Sequence, residues 1–229
     1  MIIDCLACLH GHYPKLEGGD ILIVAGDLTA RDTKDEYIIF GDWMQKQNYR
    51  CKIVICGNHD GRIEKIHKDC AIPDDLKLPR MFINPFMLFG IEYLCDSGTE
   101  FKGLKIWGSP WVRGFKGMNP LYKAFTVDTE EELAEKWELI PPDIDILITH
   151  SPSFGNYDWV KNRDGSIGPS IGSLSLWFKC LEIRPKVHIF GHIHEAYGHA
   201  DHTNGIKLIN ASHVNEHYEP VNKPIRIIL

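Results

Sequence analysis

Short apolar runs that end directly in polar residues recur along this chain of 229 residues. The runs are rich in Ile, Val and Leu and cover residues 1–9, 21–25, 52–56, 144–149 and 186–190. Runs of this composition suit strands that are buried on both faces. In open α/β sheets, the residues that follow such strands converge on one edge. The sequence therefore predicts buried strands whose polar ends meet at a common rim.

The polar residues behind these runs are types that bind metal ions. They are His10 and the four blocks Gly26-Asp27, Gly57-Asn58-His59-Asp60, Thr149-His150-Ser151-Pro152 and Gly191-His192-Ile193-His194. Any one block also occurs in an ordinary turn. Imidazoles, a carboxylate and an amide oxygen suit Mn²⁺, Fe or Zn²⁺ better than Ca²⁺, which prefers oxygen ligands throughout. Since all of them follow strand-like runs, the sequence predicts a metal site at the rim.

Three segments have the spacing of helices. In residues 33–48, Asp35 and Glu36 occupy the first turn and apolar residues recur at helical spacing. Residues 129–139 begin with a sequence that resembles a capping box. A third helix is predicted for residues 173–182, because Pro185 follows it.

The remaining segments suggest further strands. Residues 81–107 predict short strands separated by turns, and residues 206–209 and 225–229 predict two more. Parallel-type and hairpin-type strands are therefore mixed in one chain. This mixture predicts an α/β fold of the α+β type, with two packed mixed β-sheets flanked by helices.

Composition narrows the class of protein. The length favours a single domain over residues 1–229. A net charge of −6 argues against duplex nucleic acid as an obligate partner. Seven cysteines without a disulfide-like spacing favour a reducing compartment, so we expect a cytoplasmic protein. No signal peptide or membrane span is evident from the sequence, and it does not indicate an oligomeric state.

Taken together, these blocks resemble the calcineurin-like metallophosphoesterase superfamily, whose pattern is Asp-x-His, Gly-Asp, Gly-Asn-His-Asp/Glu, His and Gly-His-x-His. Gly108-Ser109-Pro110-Trp111 and the segment from Glu132 to Trp137 are similar to its MPPED-type branch in particular. The resemblance implies a four-layer metallophosphoesterase sandwich with two divalent ions, Mn, Fe or Zn. It also implies hydrolysis of a phosphomonoester or phosphodiester, nucleotide-like esters included, by metal-bound hydroxide.

The resemblance also assigns roles to single residues. One ion would bind His10, Asp27 and His194, and the other would share Asp27 and bind three further ligands, namely Asn58, His150 and His192. His59 would act as the acid or the phosphate-orienting residue, and it would contact the substrate together with Asn58. Asp60 would support catalysis by fixing the imidazole of His59.

The first motif departs from the family pattern, because Cys8 stands where the first aspartate is expected. In one interpretation, the Cys8 thiolate binds the ion and the site favours softer metals. In a second, Cys8 does not bind, and the first ion is weakly held or absent. In a third, Asp4 reaches the site, although four residues of extended chain span about 13 Å. Cys5 is expected to pack in the core, because residues three apart in a strand face opposite sides.

This departure leaves two functional classes open. The first is an active metal-dependent phosphoesterase. The alternative is a catalytically impaired binding protein of the same fold, with only one metal site occupied because Cys8 replaces the aspartate. The loops also contain aromatic residues that either stack on a substrate or pack internally, and basic residues suited to phosphate: Trp107, Trp111, Phe115, Trp159, Arg113, Lys161 and Arg163.

Overall fold

The computed structural model describes residues 1–69, 86–115, 117–162, 164–202 and 204–229. Its helices are α1 (Lys34–Lys46), α2 (Gly61–Asp69), α3 (Glu130–Trp137) and α4 (Leu174–Ile183). Its strands are β1 (Ile2–Leu6), β2 (Gly19–Ala25), β3 (Tyr49–Ile55), β4 (Glu92–Tyr93), β5 (Ser97–Phe101), β6 (Leu104–Ser109), β7 (Val112–Arg113), β8 (Thr126–Val127), β9 (Ile146–Thr149), β10 (Trp159–Lys161), β11 (Ile167–Ser170), β12 (Val187–Phe190), β13 (Gly198–Asp201), β14 (Lys207–Asn210) and β15 (Ile225–Ile228).

Two mixed sheets form the centre of the molecule. The first has five strands in the order β15-β1-β2-β3-β4, with β15 antiparallel to β1 and the other pairs parallel. The second has six strands in the order β13-β14-β12-β9-β6-β5. Its four inner strands run parallel, and the strands at both edges are antiparallel to their neighbours.

The sheets pack face to face and are covered by helices on their outer faces. The layer between them is aliphatic, with Ile3, Ile23 and Ile53 of the first sheet in one cluster with Ile148 and Ile189 of the second. Outside the first sheet, α1 contributes its own buried side chains, Tyr37, Phe40 and Met44. Outside the second, α3 and α4 contribute Leu133, Trp137, Leu176 and Cys180. This arrangement confirms the predicted sandwich of two mixed sheets flanked by helices.

The three helices predicted from sequence are present, and their starts follow from local chemistry. Thr33 and Thr129 cap α1 and α3, and each belongs to a reciprocal capping box with the glutamate three residues later. Ser173 caps α4 by accepting from the backbone N–H of Leu176. A side-chain oxygen in each cap satisfies an amide that has no partner inside the helix.

Two local features differ from the sequence-based expectation. The helix α2 was not predicted, because it begins at a glycine, is rich in charged residues and buries few apolar side chains such as Ile63. Met87–Phe89 forms a short 3-10 helix in a segment predicted as strand, and Gly90 ends it in the left-handed conformation. The strands β4, β5 and β6 confirm the later part of that prediction, and residues 81–85 lie outside the described residues.

The two sheets are joined at the rim where the candidate ligands lie. Ala7, just beyond β1, forms a parallel bridge with Ser212, just beyond β14. Its N–H donates to Ala211 O at 2.8 Å, and its carbonyl accepts from His213 N at 2.8 Å. Residues after the first strand are thereby brought against residues of the second sheet. In the described ranges, no helix is both long and apolar enough to cross a membrane.

Candidate metal centre

Four candidate ligands from three loops form one compact set, here called the first ligand group: Cys8, His10, Asp27 and His194. One donor atom from each lies within 4.8 Å of the others. His10 Nε2 and His194 Nε2 are 3.2 Å apart. Two nitrogens bound to one tetrahedral ion at about 2.0–2.1 Å would be about 3.3 Å apart, so this pair has the spacing of metal ligands.

The second ligand group is Asp27, Asn58, His150 and His192. His150 Nε2 lies 3.2 Å from Asp27 Oδ2 and 3.3 Å from Asn58 Oδ1. The ring centroids of His150 and His192 are 5.2 Å apart. The same oxygen of Asp27, Oδ2, is 3.6 Å from His10 Nε2 in the first ligand group. A single carboxylate oxygen therefore faces both groups, as a bridging ligand would.

Hydrogen bonds to the protein fix which donor atoms face the site. His150 Nδ1 is 2.8 Å from Ala25 O, so Nδ1 donates to this carbonyl and Nε2 faces Asp27 and Asn58. His194 Nδ1 contacts Asn215 O at 3.2 Å in the same way. The side-chain N–H of Asn58 donates to Tyr122 O at 3.1 Å, which turns Oδ1 toward the other ligands. The donor atoms are thus oriented before any ion binds.

The charge states also suit metal binding, because an imidazole must be neutral to bind an ion. Desolvation lowers the pKa of His10 and His194, and it lowers that of His192 to about 3. Burial would raise the pKa of Asp27, but the neighbouring histidines, His150 foremost, hold it well below its usual range. Burial opposes the charged form of His150 as well, yet the Asp27 carboxylate raises its pKa. An ionised carboxylate thus lies beside the neutral imidazoles of His10, His192 and His194, and it favours the charged form of His150.

The backbone is strained where it presents these ligands. Four non-glycine residues of the two groups have positive φ, namely Cys8 (48°), His10 (42°), Asp27 (55°) and His192 (68°). Such conformations cost about 1–3 kcal/mol each and persist where the surrounding structure imposes them. Gly57 is needed for space, since a Cβ there would collide with the Asp27 carboxylate and the His150 imidazole. Strain and tight packing thus coincide at the positions of the candidate ligands.

Cys8 lies in the first ligand group, and its thiol has defined partners. The sulfur accepts from the backbone N–H of His192 at 3.0 Å and from the Ser212 hydroxyl at 3.5 Å. Burial and the nearby Asp27 carboxylate raise its pKa, while these two donors lower it. Asp4, by contrast, accepts from Arg226 Nε at 2.8 Å and also binds Tyr49. The structure therefore contradicts the interpretation in which Asp4 replaces the missing aspartate.

Asp60 is placed differently from the sequence-based expectation. Its carboxylate accepts from the backbone N–H groups of Gly57 at 2.8 Å, Asp27 at 3.0 Å and Leu28 at 3.2 Å, and from the hydroxyl of Tyr37 at 3.1 Å. These bonds tie Asp60 to the loops that carry Asp27 and Gly57, and none of them reaches the His59 imidazole. Asp60 directly precedes α2, and its carboxylate faces the loop after β2. Burial and Asp27 raise its pKa to about 7, against the opposing effect of the backbone donors.

His59 is buried against members of both ligand groups. Its backbone N–H donates to Asp27 Oδ1 at 3.0 Å, and its ring centroid is 4.6 Å from that of His10. The ring stacks on Tyr122 with centroids 4.0 Å apart and planes inclined by 15°. Its Nδ1 is buried without a hydrogen-bond partner in the described part of the chain. The ring is therefore positioned by stacking and remains available to a ligand.

Comparison with known proteins places this geometry in a family. The profile of calcineurin-like phosphoesterases matches residues 3–196. The human Metallophosphoesterase domain-containing protein 1 is 37% identical over 245 residues, which cover 98% of this chain and 70% of that protein. This chain belongs to the calcineurin-like phosphoesterase family. The predicted superfamily and its MPPED-type branch are confirmed, and the chain is in general terms a metal-dependent phosphoesterase.

A further relative and two solved structures are also similar to this chain. The UPF0046 protein T07D4.2 of Caenorhabditis elegans is 32% identical over 241 residues, covering 96% of this chain and 58% of that protein. The crystal structure of TT1561 of Thermus thermophilus aligns with a TM-score of 0.55 at 15% identity, covering 91% of this chain and 88% of that one. Another solved structure reaches a TM-score of 0.62 at 16% identity, covering 91% of this chain and 89% of that one. At such identities the structural likeness supports the fold alone.

Three of the other sequence candidates, Arg113, Lys161 and Trp111, have partners of their own in this calcineurin-like domain, whereas Phe115 is exposed. Arg113 pairs with Glu130 at 3.6 Å, and Lys161 pairs with Glu216. Trp111 donates from Nε1 to Asp96 at 2.7 Å, and it packs with Trp107 at the edge of the core. Arg163 lies outside the described residues.

Sequence reasoning missed two aromatic residues beside the site, Tyr122 and Tyr218. Tyr122 stacks on His59, and Tyr218 contacts His10 and His194 with ring centroids 4.8 Å and 5.3 Å away. Neither follows a strand or belongs to a ligand motif, so no local pattern indicates them. The structure brings both to the ligand groups from distant parts of the chain.

Proposed function

We propose that this protein holds two divalent ions, Mn, Fe or Zn, and hydrolyses a phosphomonoester or phosphodiester, nucleotide-like esters included. The observation that carries the proposal is the position of Asp27 Oδ2, 3.6 Å from His10 Nε2 and 3.2 Å from His150 Nε2. One oxygen between two sets of imidazoles is the arrangement that a pair of bridged ions requires. Since both sheets supply ligands, we further propose that residues 1–229 function as a single domain.

The chain's own residues would bind and orient the ester. When bound, two divalent ions would lower the pKa of a water molecule and neutralise the phosphate charge. Asn58 and His59 would contact the substrate, because Asn58 belongs to the second ligand group and His59 lies against His10 of the first. His59 would donate a proton or a hydrogen bond to the leaving oxygen. Asp60 would act indirectly, since it holds the loops of Asp27 and Gly57 together.

Cys8 would complete the first ligand group as a thiolate. Its sulfur lies within 4.8 Å of the donor atoms of His10, Asp27 and His194. The His192 N–H and the Ser212 hydroxyl both stabilise the thiolate form. A thiolate ligand favours softer ions such as Zn²⁺ or Fe over Mn²⁺. The first site would then differ in metal preference from one with an aspartate at this position.

The alternative, an impaired phosphoesterase-fold protein with one occupied metal site, has one observation in its favour. Burial and the Asp27 carboxylate raise the pKa of the Cys8 thiol. If the thiol keeps its proton, the first ligand group has only His10, His194 and the shared Asp27. The protonation state of Cys8 does not change the members of the second ligand group.

Metal content and hydrolytic activity, measured together, distinguish the active phosphoesterase from the impaired protein. Two ions per chain and hydrolysis of an aryl phosphate or aryl phosphodiester, with added Mn²⁺, Fe²⁺ or Zn²⁺, support the enzyme. Fewer than one ion per chain and no hydrolysis with any of the three metals would contradict it. One tightly held ion without activity is the result expected of the alternative.

A variant of His59 tests the assigned role. We expect His59→Ala to lower turnover by about 10²–10⁴-fold while metal content stays near that of the parent protein. His199→Ala is the matched control, because His199 is exposed on β13. Loss of the ions in His59→Ala would instead assign His59 to the metal site.

The expected partners and cellular location of the protein also remain proposals. The substrate would be a small phosphate ester or nucleotide, with no obligate duplex nucleic acid and no membrane partner. A cytoplasmic location stays a prediction from the cysteine content. Cys5, Cys8, Cys51, Cys56, Cys95 and Cys180 are free thiols in the structure.

A further inference from the structure

Tyr122 and Tyr218 enclose His59 and the first ligand group with aromatic surface. Tyr122 lies flat against His59, with centroids 4.0 Å apart. Tyr218 meets His10 and His194 in T-shaped contacts with interplanar angles of 76° and 90°, and its centroid is 6.3 Å from that of His59. Two aromatic rings thus border the histidine that is proposed to serve the leaving oxygen.

The loop that carries Tyr218 is tied to the first ligand group. The backbone N–H of Tyr218 donates to Asn215 O at 2.9 Å, and His194 Nδ1 contacts the same carbonyl at 3.2 Å. The Asn215 side chain accepts from the N–H groups of His217 at 3.0 Å and Glu219 at 2.9 Å. The position of the Tyr218 ring is therefore coupled to that of a candidate ligand.

The conformation of Tyr218 is costly for a residue of its size. Its φ is +62°, in the region that bulky side chains rarely adopt. The residue is nevertheless 48% exposed, so burial does not offset the strain. Strained residues with exposed apolar surface are commonly found where a ligand binds. A ring in this position offers surface to a molecule that enters the site.

We propose that Tyr218, together with Tyr122 behind His59, is a specificity-determining residue that binds a flat ring on the leaving alcohol of the phosphate ester. The proposal rests on the proposed function, because it places this ring next to His59 and hence next to the leaving oxygen. Stacking of a flat ring on an aromatic side chain contributes about 1–3 kcal/mol. Two of the tryptophans indicated by sequence lie elsewhere: Trp111 contacts Phe125 and Lys136, and both Trp111 and Trp107 pack against the cluster under the outer helices of the second sheet.

A pair of substrates with equal chemistry and different shape tests the proposal. Benzyl phosphate and cyclohexylmethyl phosphate, or their methyl diesters, release primary alcohols of similar acidity, and only the first carries a flat ring. For the metal-loaded protein we expect kcat/KM to favour the benzyl ester by roughly fivefold or more. The non-hydrolysable benzylphosphonate should bind more tightly than cyclohexylmethylphosphonate by a similar factor in calorimetry.

Variants assign the preference to Tyr218. In Tyr218→Ala, the kcat/KM ratio of the two esters and the affinity ratio of the two phosphonates should both fall toward one. Tyr218→Phe should keep both ratios, because the ring remains. Phe178→Ala is the matched control, since Phe178 is 61% exposed on α4 and should leave the ratios unchanged. A structural role alone would lower kcat/KM for both esters equally.

The outcomes distinguish this proposal from the one on which it rests. Hydrolysis of both esters with equal kcat/KM, or a preference that survives in Tyr218→Ala, would overturn the role of Tyr218 and leave the phosphoesterase intact. Hydrolysis of neither ester by metal-loaded protein would contradict the proposed function itself, and the aromatic site would be rejected with it.

Discussion

Cys8 stands where the family pattern described above has an aspartate, and two opposing effects decide its charge. Burial and the Asp27 carboxylate raise the pKa of the thiol. The His192 N–H and Ser212 hydroxyl stabilise the thiolate. A divalent ion bound to the other members of the first ligand group would add a much larger stabilisation, because a coordinating thiol is deprotonated outright. Metal binding and loss of the thiol proton should therefore occur together.

We predict that Co²⁺-loaded protein shows a thiolate-to-cobalt charge-transfer band in the near ultraviolet. Cys8→Ser should remove the band, and Cys8→Asp should remove it while keeping two ions per chain. The control is Cys51→Ser, whose thiol is partly buried on β3, outside both ligand groups. The parent protein without such a band would show that Cys8 does not bind the ion.

At the scale of elements, Asp60 connects three segments through one carboxylate. It accepts from Gly57 just after β3 and from Asp27 and Leu28 just after β2, and it also bonds Tyr37 of α1. All four of these hydrogen bonds are buried, so water cannot replace the carboxylate as it can in an exposed ion pair. Removing the carboxylate would leave several buried donors without a partner, at about 1–3 kcal/mol for each group that finds no substitute.

We predict that Asp60→Ala lowers the free energy of unfolding by at least about 2 kcal/mol in metal-free protein, measured by urea denaturation. Asp42→Ala is the matched control, because Asp42 is exposed on α1 and its loss should change stability by about 0.5 kcal/mol or less. If the free energy of unfolding falls equally little in both variants, Asp60 does not hold the loops of Asp27 and Gly57 together.

The elements also show what the sequence determines locally. The starts of α1 and α3 were predictable, because their capping boxes consist of residues three apart. The positions of the candidate ligands were also predictable, because each follows directly on an apolar run. The bonds of Asp60 to Asp27 and the contact of Tyr218 with His10 join residues that are far apart in the chain. Such contacts depend on how the loops fold over the rim, which no local pattern indicates.

The strand β12 carries a buried histidine outside the two candidate ligand groups, and this makes stability depend on pH. His188 is fully buried beside Thr149 Oγ1 at 2.8 Å and Cys180 Sγ at 3.7 Å. Desolvation lowers its pKa to about 3. An unfolded histidine titrates near 6.5, so the unfolded state binds a proton that the folded state rejects below that pH. Stability is thus retained above about pH 6.5 and lost as the pH falls.

We predict that between about pH 7.5 and about pH 5.5 the parent protein loses about 1.4 kcal/mol of stability relative to His188→Gln. Glutamine can keep the bond to Thr149 and does not titrate. Urea denaturation of both proteins with EDTA present separates this effect from metal binding. A difference in unfolding free energy that does not change with pH would show that His188 titrates in the folded state as it does in the unfolded state.

At the scale of the whole molecule, the candidate centre joins the two sheets. Cys8, His10, Asp27 and Asn58 follow strands of the first sheet, and His150, His192 and His194 follow strands of the second. The bridge between Ala7 and Ser212 brings the sheets together at the same rim. Ligands on both sides mean that bound ions would resist separation of the sheets. The functional centre is therefore also expected to contribute to the stability of the fold.

Metal removal should reveal this contribution. An ion at a hundred times its dissociation constant stabilises the folded state by about 2.7 kcal/mol, which corresponds to a rise in Tm of about 5–10 °C for a domain of this size. We predict such a rise when Zn²⁺ or Mn²⁺ is added to EDTA-treated protein, with slower hydrogen exchange at the backbone amides of Cys8 and His192 together, since one belongs to each sheet. His150→Ala should reduce the shift, whereas His199→Ala should not. Protection of only one of these amides would show that the ions do not connect the two sheets.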